Sequence, residues 1–191
     1  MSEPKLFPPV KVIASMIYSD TTVCKRSREA IAERLGQEDF ASQDLPFDRT
    51  HYYEKEMGPG LRRIFVSYAN PVDRESLIAI KLYAHQVETT FSSEGRRRVN
   101  IDPGYISLEN LVLATFKGYS HRIYLGQGVF AEVTLIFEKG SFRPLQWTYP
   151  DYVSVEVIGI MNKIRARYRD QLKNVSPSPF ILSPLEGERG G

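Results

Sequence analysis

The stretch His121-Arg-Ile-Tyr-Leu-Gly-Gln-Gly-Val-Phe-Ala-Glu-Val-Thr-Leu-Ile-Phe137 decides the class of fold. Two runs rich in branched and aromatic residues flank Gly126-Gln127-Gly128, a composition that closes an antiparallel hairpin. In the second run Val129, Ala131, Val133, Leu135 and Phe137 alternate as one apolar face, with Phe130, Glu132, Thr134 and Ile136 on the other. A three-residue loop sets Glu132 across from Arg122, and a slip of one residue sets it across from His121. In either register a carboxylate meets a cation in mid-sheet, between Phe130 and Ile136. Two readings stay open: a cross-strand ion pair on a solvated face, worth little, or a charged platform inside a cleft.

Outward from this hairpin, the chain punctuates itself. Val10–Tyr18 is an apolar, branched run that reads as a buried strand. Ser19, Asp20 and Thr21 offer caps to a helix ending at Leu35, with Gly36 as its stop. Residues 37–49 are polar and read as a loop. Thr50–Met57 and Leu61–Tyr68 then read as a hairpin around Gly58-Pro59-Gly60, which puts Glu54 on a face with Tyr52, Ile64 and Val66 and Glu56 across from Arg62. Asn70-Pro71-Val72-Asp73 opens a helix whose stripe is Leu77, Ile80, Ala84, Val87 and Phe91. Arg96–Ile101 reads as a short strand stopped by Asp102-Pro103-Gly104, and Ser107 as the cap of a short helix over Leu108–Phe116. The last helix spans Tyr152–Lys173 on a stripe of Val157, Ile160, Met161, Ile164, Tyr168 and Leu172.

This order is β-α-β-β-α written twice, although the halves share negligible sequence identity. It predicts an α+β fold, an antiparallel or mixed sheet with helices packed on it, and a βαββα pseudo-duplication. The first half is ferredoxin-like if Arg97–Ile101 supplies the fourth strand. The expected organisation is a single domain over 1–173, with pseudo-halves 10–95 and 96–173. Residues 174–191 turn to Ser-Pro and Gly and read as a flexible C-terminal tail.

Composition narrows the function classes. The 191 residues are 42% hydrophobic and 25% charged, as in ordinary globular chains. With Lys+Arg 25 against Asp+Glu 23, a net charge of +2 makes no general case for nucleic acid or a membrane surface. One cysteine, Cys24, excludes an intrachain disulfide and a thiolate metal cage and fits a reducing compartment. No run approaches a membrane span, so a cytoplasmic protein is expected. The chain has no phosphate loop for GTP, no His-Glu-x-x-His, no paired Cys-x-x-Cys and no Gly-x-Ser-x-Gly elbow.

What remains is a short set of polar residues in unusual places. Lys117, His121 and Arg122 gather three potential cations at one strand entrance, a grouping suited to phosphate or carboxylate or simply to a hydrated rim. Asn100 and Asp102 stand where a strand feeds a turn, where sites are commonly built. Trp147-Thr-Tyr-Pro-Asp151-Tyr152 is an aromatic turn entering the last helix: a hydrophobic plug with Asp151 as cap, or a stacking wall for a ring.

Four segments together, Tyr52-Tyr-Glu-Lys-Glu-Met-Gly58, Asn100-Ile-Asp-Pro-Gly-Tyr105, His121-Arg-Ile-Tyr-Leu125 and Trp147-Thr-Tyr-Pro-Asp-Tyr152, resemble the prokaryotic family known as domain of unknown function 4416. The resemblance runs from about Val10 to Leu172. Members often carry the label of GTP-binding protein, and this sequence lacks the phosphate loop and guanine-reading motif that label requires. The resemblance implies that Glu54, Asn100, Asp102, Lys117, His121, Arg122, Glu132 and Asp151 lie in signature segments, without assigning their roles.

The leading expectation is a protein that binds or acts on a phosphorylated or nucleotide-like small molecule through the second hairpin. Lys117 and Arg122, with Asn100, Asp102 and Asp151, would hold the ligand, and Glu132, His121 and Glu54 would serve as acid/base groups. A divalent metal ion is a candidate cofactor held by the carboxylates. The alternative is a non-catalytic module that binds RNA or a protein through a sheet face bearing Tyr52, Tyr124 and Phe130; a homo-oligomer is a further candidate.

Overall fold

The computed structural model describes residues 3, 7–48 and 52–174. Its elements begin β1 (Lys11–Tyr18), α1 (Thr21–Leu35), β2 (Glu38–Ala41), β3 (Leu45–Pro46), α2 (Glu54–Met57), β4 (Arg62–Tyr68) and α3 (Leu77–Thr90). They continue as β5 (Val99–Ile106), β6 (Asn110–Thr115), β7 (Ile123–Gly126), β8 (Val129–Glu138), β9 (Ser141–Pro144) and α4 (Val155–Asn174). Among the described residues the strands form one sheet in the order β2-β4-β1-β5-β6-β8-β7, with β3 on β4 and β9 on β8. Every pairing is antiparallel. The fold is therefore α+β, as the hairpin and helix patterns predict.

All eight residues of β1 are buried because helices cover both sides of the strand. Val12, Ala14, Met16 and Tyr18 pack against Val23, Ile31 and Leu35 of α1 and Ile80, Ala84 and Val87 of α3. Ile13, with Phe65, Ile106, Leu111 and Leu135, packs against Val157, Ile160, Met161, Ile164 and Tyr168 of α4. The layers are thus α1 and α3, the sheet, then α4. Asp20 starts α1 by accepting from the backbone N–H groups of Thr22 and Val23.

The structure corrects four local expectations. Residues 37–49 hold β2 and β3, short strands on the outer edge of β4, and their polarity reflects that edge position. Glu54–Met57 is a helical turn instead of a strand, so Gly58-Pro59-Gly60 joins a helix to β4 and the first hairpin does not form; Thr50 and His51 lie outside the described residues. β5 runs straight through Asp102-Pro103-Gly104 in register with Ser15, Ala14 and Ile13. Leu108–Phe116 supplies β6, whose Leu111–Ala114 run is buried on both faces and gives a periodicity that cannot separate helix from strand. The second half therefore lacks its first helix and does not repeat the βαββα order. The expected tail beyond Asn174 lies outside the described residues.

A further correction concerns β8. Between Leu111 and Val112 the β6–β8 register shifts, so the apolar alternation changes sides at Thr134. Ala131 and Val133 pack toward α3, whereas Leu135 and Phe137 pack toward α4.

Candidate functional site

β5 and β6 pair only at Gly104–Leu113, Tyr105–Val112 and Ile106–Leu111. A Cβ on Gly104 would stand 2.2 Å from the Val112 carbonyl oxygen, so only glycine allows this close approach. Toward Val99 and Thr115 no β5–β6 pair continues. Side chains of α3 take over there: a Glu88 carboxylate oxygen accepts from the Ile101 N–H, and the Lys81 ammonium donates to the Ile101 carbonyl at 3.1 Å. Alternate residues of a strand face the same neighbour, so the donor that Pro103 lacks falls on this open side as well.

The divergence leaves a cavity of about 700 Å³ on the part of the sheet that α4 does not cover. Its polar lining forms three groups. In the first, Glu132 Oε2 accepts from Arg122 Nε at 2.8 Å and lies 3.0 Å from His121 Nε2. Glu132 is 3% exposed, and its other oxygen, Oε1, is buried with no hydrogen-bond partner among the described residues. Arg122 also donates to the Lys117 carbonyl at 2.8 Å and to the Tyr149 hydroxyl at 3.1 Å. Burial opposes the Arg122 cation, but the hydrogen bonds with Glu132 and Tyr149 outweigh it and raise its pKa. Lys117 Nζ lies 4.6 Å from the centre of the Tyr52 ring and donates to its hydroxyl.

The second group is a chain of hydrogen bonds along β5. Arg97 grips Glu56 through Nε and Nη2 at 2.8 and 2.7 Å and donates through Nη1 to Asn100 Oδ1. Asn100 in turn donates to Asp102 Oδ2 at 2.8 Å, and Lys81 Nζ stands 3.5 Å from Asp102 Oδ1. The Arg97 hydrogen bonds lower the Glu56 pKa, and Glu56 raises that of Arg97. Burial raises the Glu88 pKa against the pull of Lys81.

In the third group Arg63, only 6% exposed, pairs with Asp151 at 3.4 Å and lies over the rings of Phe47 and Tyr152. Burial pushes the Tyr152 hydroxyl up to about 12.

A second cavity of about 710 Å³ adjoins the first. Lys117, Arg122 and Tyr149 line both. On its wall His121 stacks on Trp147 with ring centres 5.3 Å apart and planes within 12°. The Trp147 indole N–H donates to the Val133 carbonyl at 2.9 Å.

Of the residues singled out in the sequence, Lys117, Arg122, Glu132, Asn100, Asp102 and Asp151 line the first cavity. His121 lines the second and reaches the first only through Glu132. Glu54 lines neither, because its segment is the helical turn α2 and not a sheet strand. Glu56 meets Arg97 and not Arg62. Asp151 pairs with Arg63 where a helix cap was expected. Tyr52 lies outside the sheet, and of the three aromatics expected on one face only Tyr124 and Phe130 meet, at 5.1 Å.

Lys81, Glu88 and Arg63 escaped the sequence reading, and Arg97, which reads in sequence as part of a solvated basic patch Arg96-Arg97-Arg98, is bonded to Glu56 and Asn100. Lys81 and Glu88 carried a usable signal: both fall on the buried stripe of α3 beside Ile80 and Val87, where a charge needs a partner. Among the described residues no three His, Cys, Asp or Glu side chains converge as metal ligands, so the metal expectation gains no support. No described helix is long and apolar enough to cross a membrane.

Residues 8–168 match the family model described as Domain of unknown function (DUF4416), and the chain belongs to that family. No curated protein and no solved structure matches the chain.

Proposed function

We propose that this member of the domain of unknown function 4416 family binds a small phosphorylated molecule, nucleotide-like in carrying a hydrogen-bond donor beside its anion, in the cavity between β5 and β6. The observation that carries this reading is Glu132 Oε1, a buried carboxylate oxygen without a donor. Such an atom forgoes its water and receives nothing in exchange, at a cost that a ligand N–H or O–H would remove. Next to it Lys117 and Arg122 present N–H groups for a phosphate. The cavity lining carries five cations, Arg63, Lys81, Arg97, Lys117 and Arg122, against four carboxylates. One of those carboxylates, Glu88, is biased by burial toward its neutral form. Tyrosines at 52, 53, 149 and 152 supply apolar ring surface for the rest of the ligand.

Thermal unfolding in the presence of nucleoside monophosphates and sugar phosphates tests the reading, since a ligand that binds only the folded chain raises Tm by mass action. The expected result is a shift for at least one compound that disappears in Glu132→Gln and in Arg122→Ala. A panel that leaves Tm unchanged would refute the reading. The second reading, an RNA- or protein-binding module, draws support from Ile123 and Tyr124 on the edge strand β7, 68% and 59% exposed.

A further inference from the structure

We infer that the ligand has two ring systems joined through a phosphate or pyrophosphate, one ring in the inner cavity and the other on the outer aromatic patch. The inference rests on the reading of the inner cavity given above and adds the class of ligand.

Three observations support it. The two cavities are about 700 and 710 Å³, each large enough for a drug-sized ligand, and they share a wall of Lys117, Arg122 and Tyr149. That wall is cationic. Arg122 directs one N–H each to Glu132, to the Lys117 carbonyl and to Tyr149, which leaves guanidinium N–H groups over. Lys117 stands exposed beside it. An anion placed there would have cavity on both sides, as a bridging phosphate requires. A terminal phosphate would use only one.

The outer side is built for stacking. Trp147 is 36% exposed, yet its ring is held on one face by His121 and at its N–H by the Val133 carbonyl. Tyr119, 69% exposed, lies 5.1 Å from His121 on the same patch. Aromatic platforms next to cations bind nucleic-acid bases with little regard for their identity, because every base has a π-face. An aromatic side chain whose orientation is already fixed loses less freedom on binding. His121 ties the two halves together, since it touches both Trp147 and the Glu132 carboxylate whose other oxygen lacks a donor.

The test compares dissociation constants by calorimetry on the full chain for adenosine monophosphate, a 3′,5′-linked adenine dinucleotide and a pyrophosphate-linked dinucleotide (NAD). At least one dinucleotide should bind about tenfold more tightly than the monophosphate, the worth of a single base stack. Which of the two gains identifies the bridge. Tyr119→Ala and Trp147→Ala should each erase most of that advantage while leaving the monophosphate within about twofold. Tyr119 is exposed enough that its removal leaves the core untouched, so the comparison survives if Trp147→Ala fails to fold. Trp147 is the sole tryptophan of the chain, so quenching of its fluorescence by the dinucleotide gives a second readout. Equal affinities for one-ring and two-ring ligands, or an advantage that persists in both variants, would overturn the inference and leave the inner-cavity reading standing. Binding of none of the three would overturn the inference, and the inner-cavity reading falls with it only if the sugar phosphates also leave Tm unchanged.

Discussion

Arg122 and Glu132, ten residues apart on one hairpin, meet through a 2.8 Å hydrogen bond with side chains only 7% and 3% exposed. The pair is therefore no rim salt bridge. Removing either partner strands a charge in a poorly solvated place, which typically costs several kcal/mol. Glu132→Ala and Arg122→Ala should each lower the unfolding free energy by about 3 kcal/mol. The double variant should lose clearly less than the two singles together. Urea titration of the four proteins measures this; additive losses would show that the pair is not coupled.

Two carboxylates should tilt the pH dependence of stability in opposite directions. Burial raises the Glu88 pKa above its ordinary 4.5, so the folded chain holds that proton more tightly than the unfolded one. Stability from Glu88 is then complete below 4.5 and declines as pH rises through the folded value. Hydrogen bonds from Arg97 lower the Glu56 pKa, so its contribution is present above 4.5 and declines as pH falls. Urea midpoints of Glu88→Gln between pH 4.5 and 7.5 should gain on wild type as pH rises. Below 4.5, Glu56→Gln should lose less stability than wild type.

Gly104 is expected to tolerate no side chain. Its added Cβ would meet the Val112 carbonyl at 2.2 Å and the Leu113 backbone at 3.1 Å, and backbone cannot swing aside as a flexible side chain can. Gly104→Ala should cost about 3 kcal/mol, the upper end of ordinary overpacking. A urea midpoint like that of wild type would show that β5 and β6 separate there at little cost.

Cys24 should be inert in the folded protein. It is 4% exposed on α1, and burial pushes its thiol up to about 12, so very little thiolate exists at neutral pH. A disulfide reagent such as DTNB should label it only as fast as the chain opens, with rapid stoichiometric labelling in urea. Fast labelling without denaturant would contradict its place on the buried face of α1.

Much of the scaffold was legible because its signals are local. Asp20 and Gly36 bracket α1 as cap and stop, and Gly126-Gln127-Gly128 marks the β7–β8 turn, where Gln127 takes a positive φ of 51°. The hairpin register also placed Glu132 against Arg122, with His121 alongside. Signals failed where neighbours decided. Leu111-Val-Leu-Ala is apolar throughout, and only its place between β5 and β8 makes it a strand. Pro103 and Gly104 read as a turn, although in this sheet a missing donor and a missing Cβ are what β5 needs beside β6.

By itself the sequence determined the α+β class, the long helices and the one hairpin that carries a carboxylate against two cations. Each of these follows from spacing and turn chemistry within some twenty residues. Only the tertiary structure decided that this carboxylate is buried with one oxygen unpaired among the described residues, and that Lys81 and Glu88 of α3, Arg63 of β4 and Arg97 before β5 line the same cavity from three separate segments. The reason is physical: exposure, desolvation and the parting of β5 from β6 depend on which surfaces α3 and α4 cover. Those are relations between residues distant in the chain, and no local pattern encodes them.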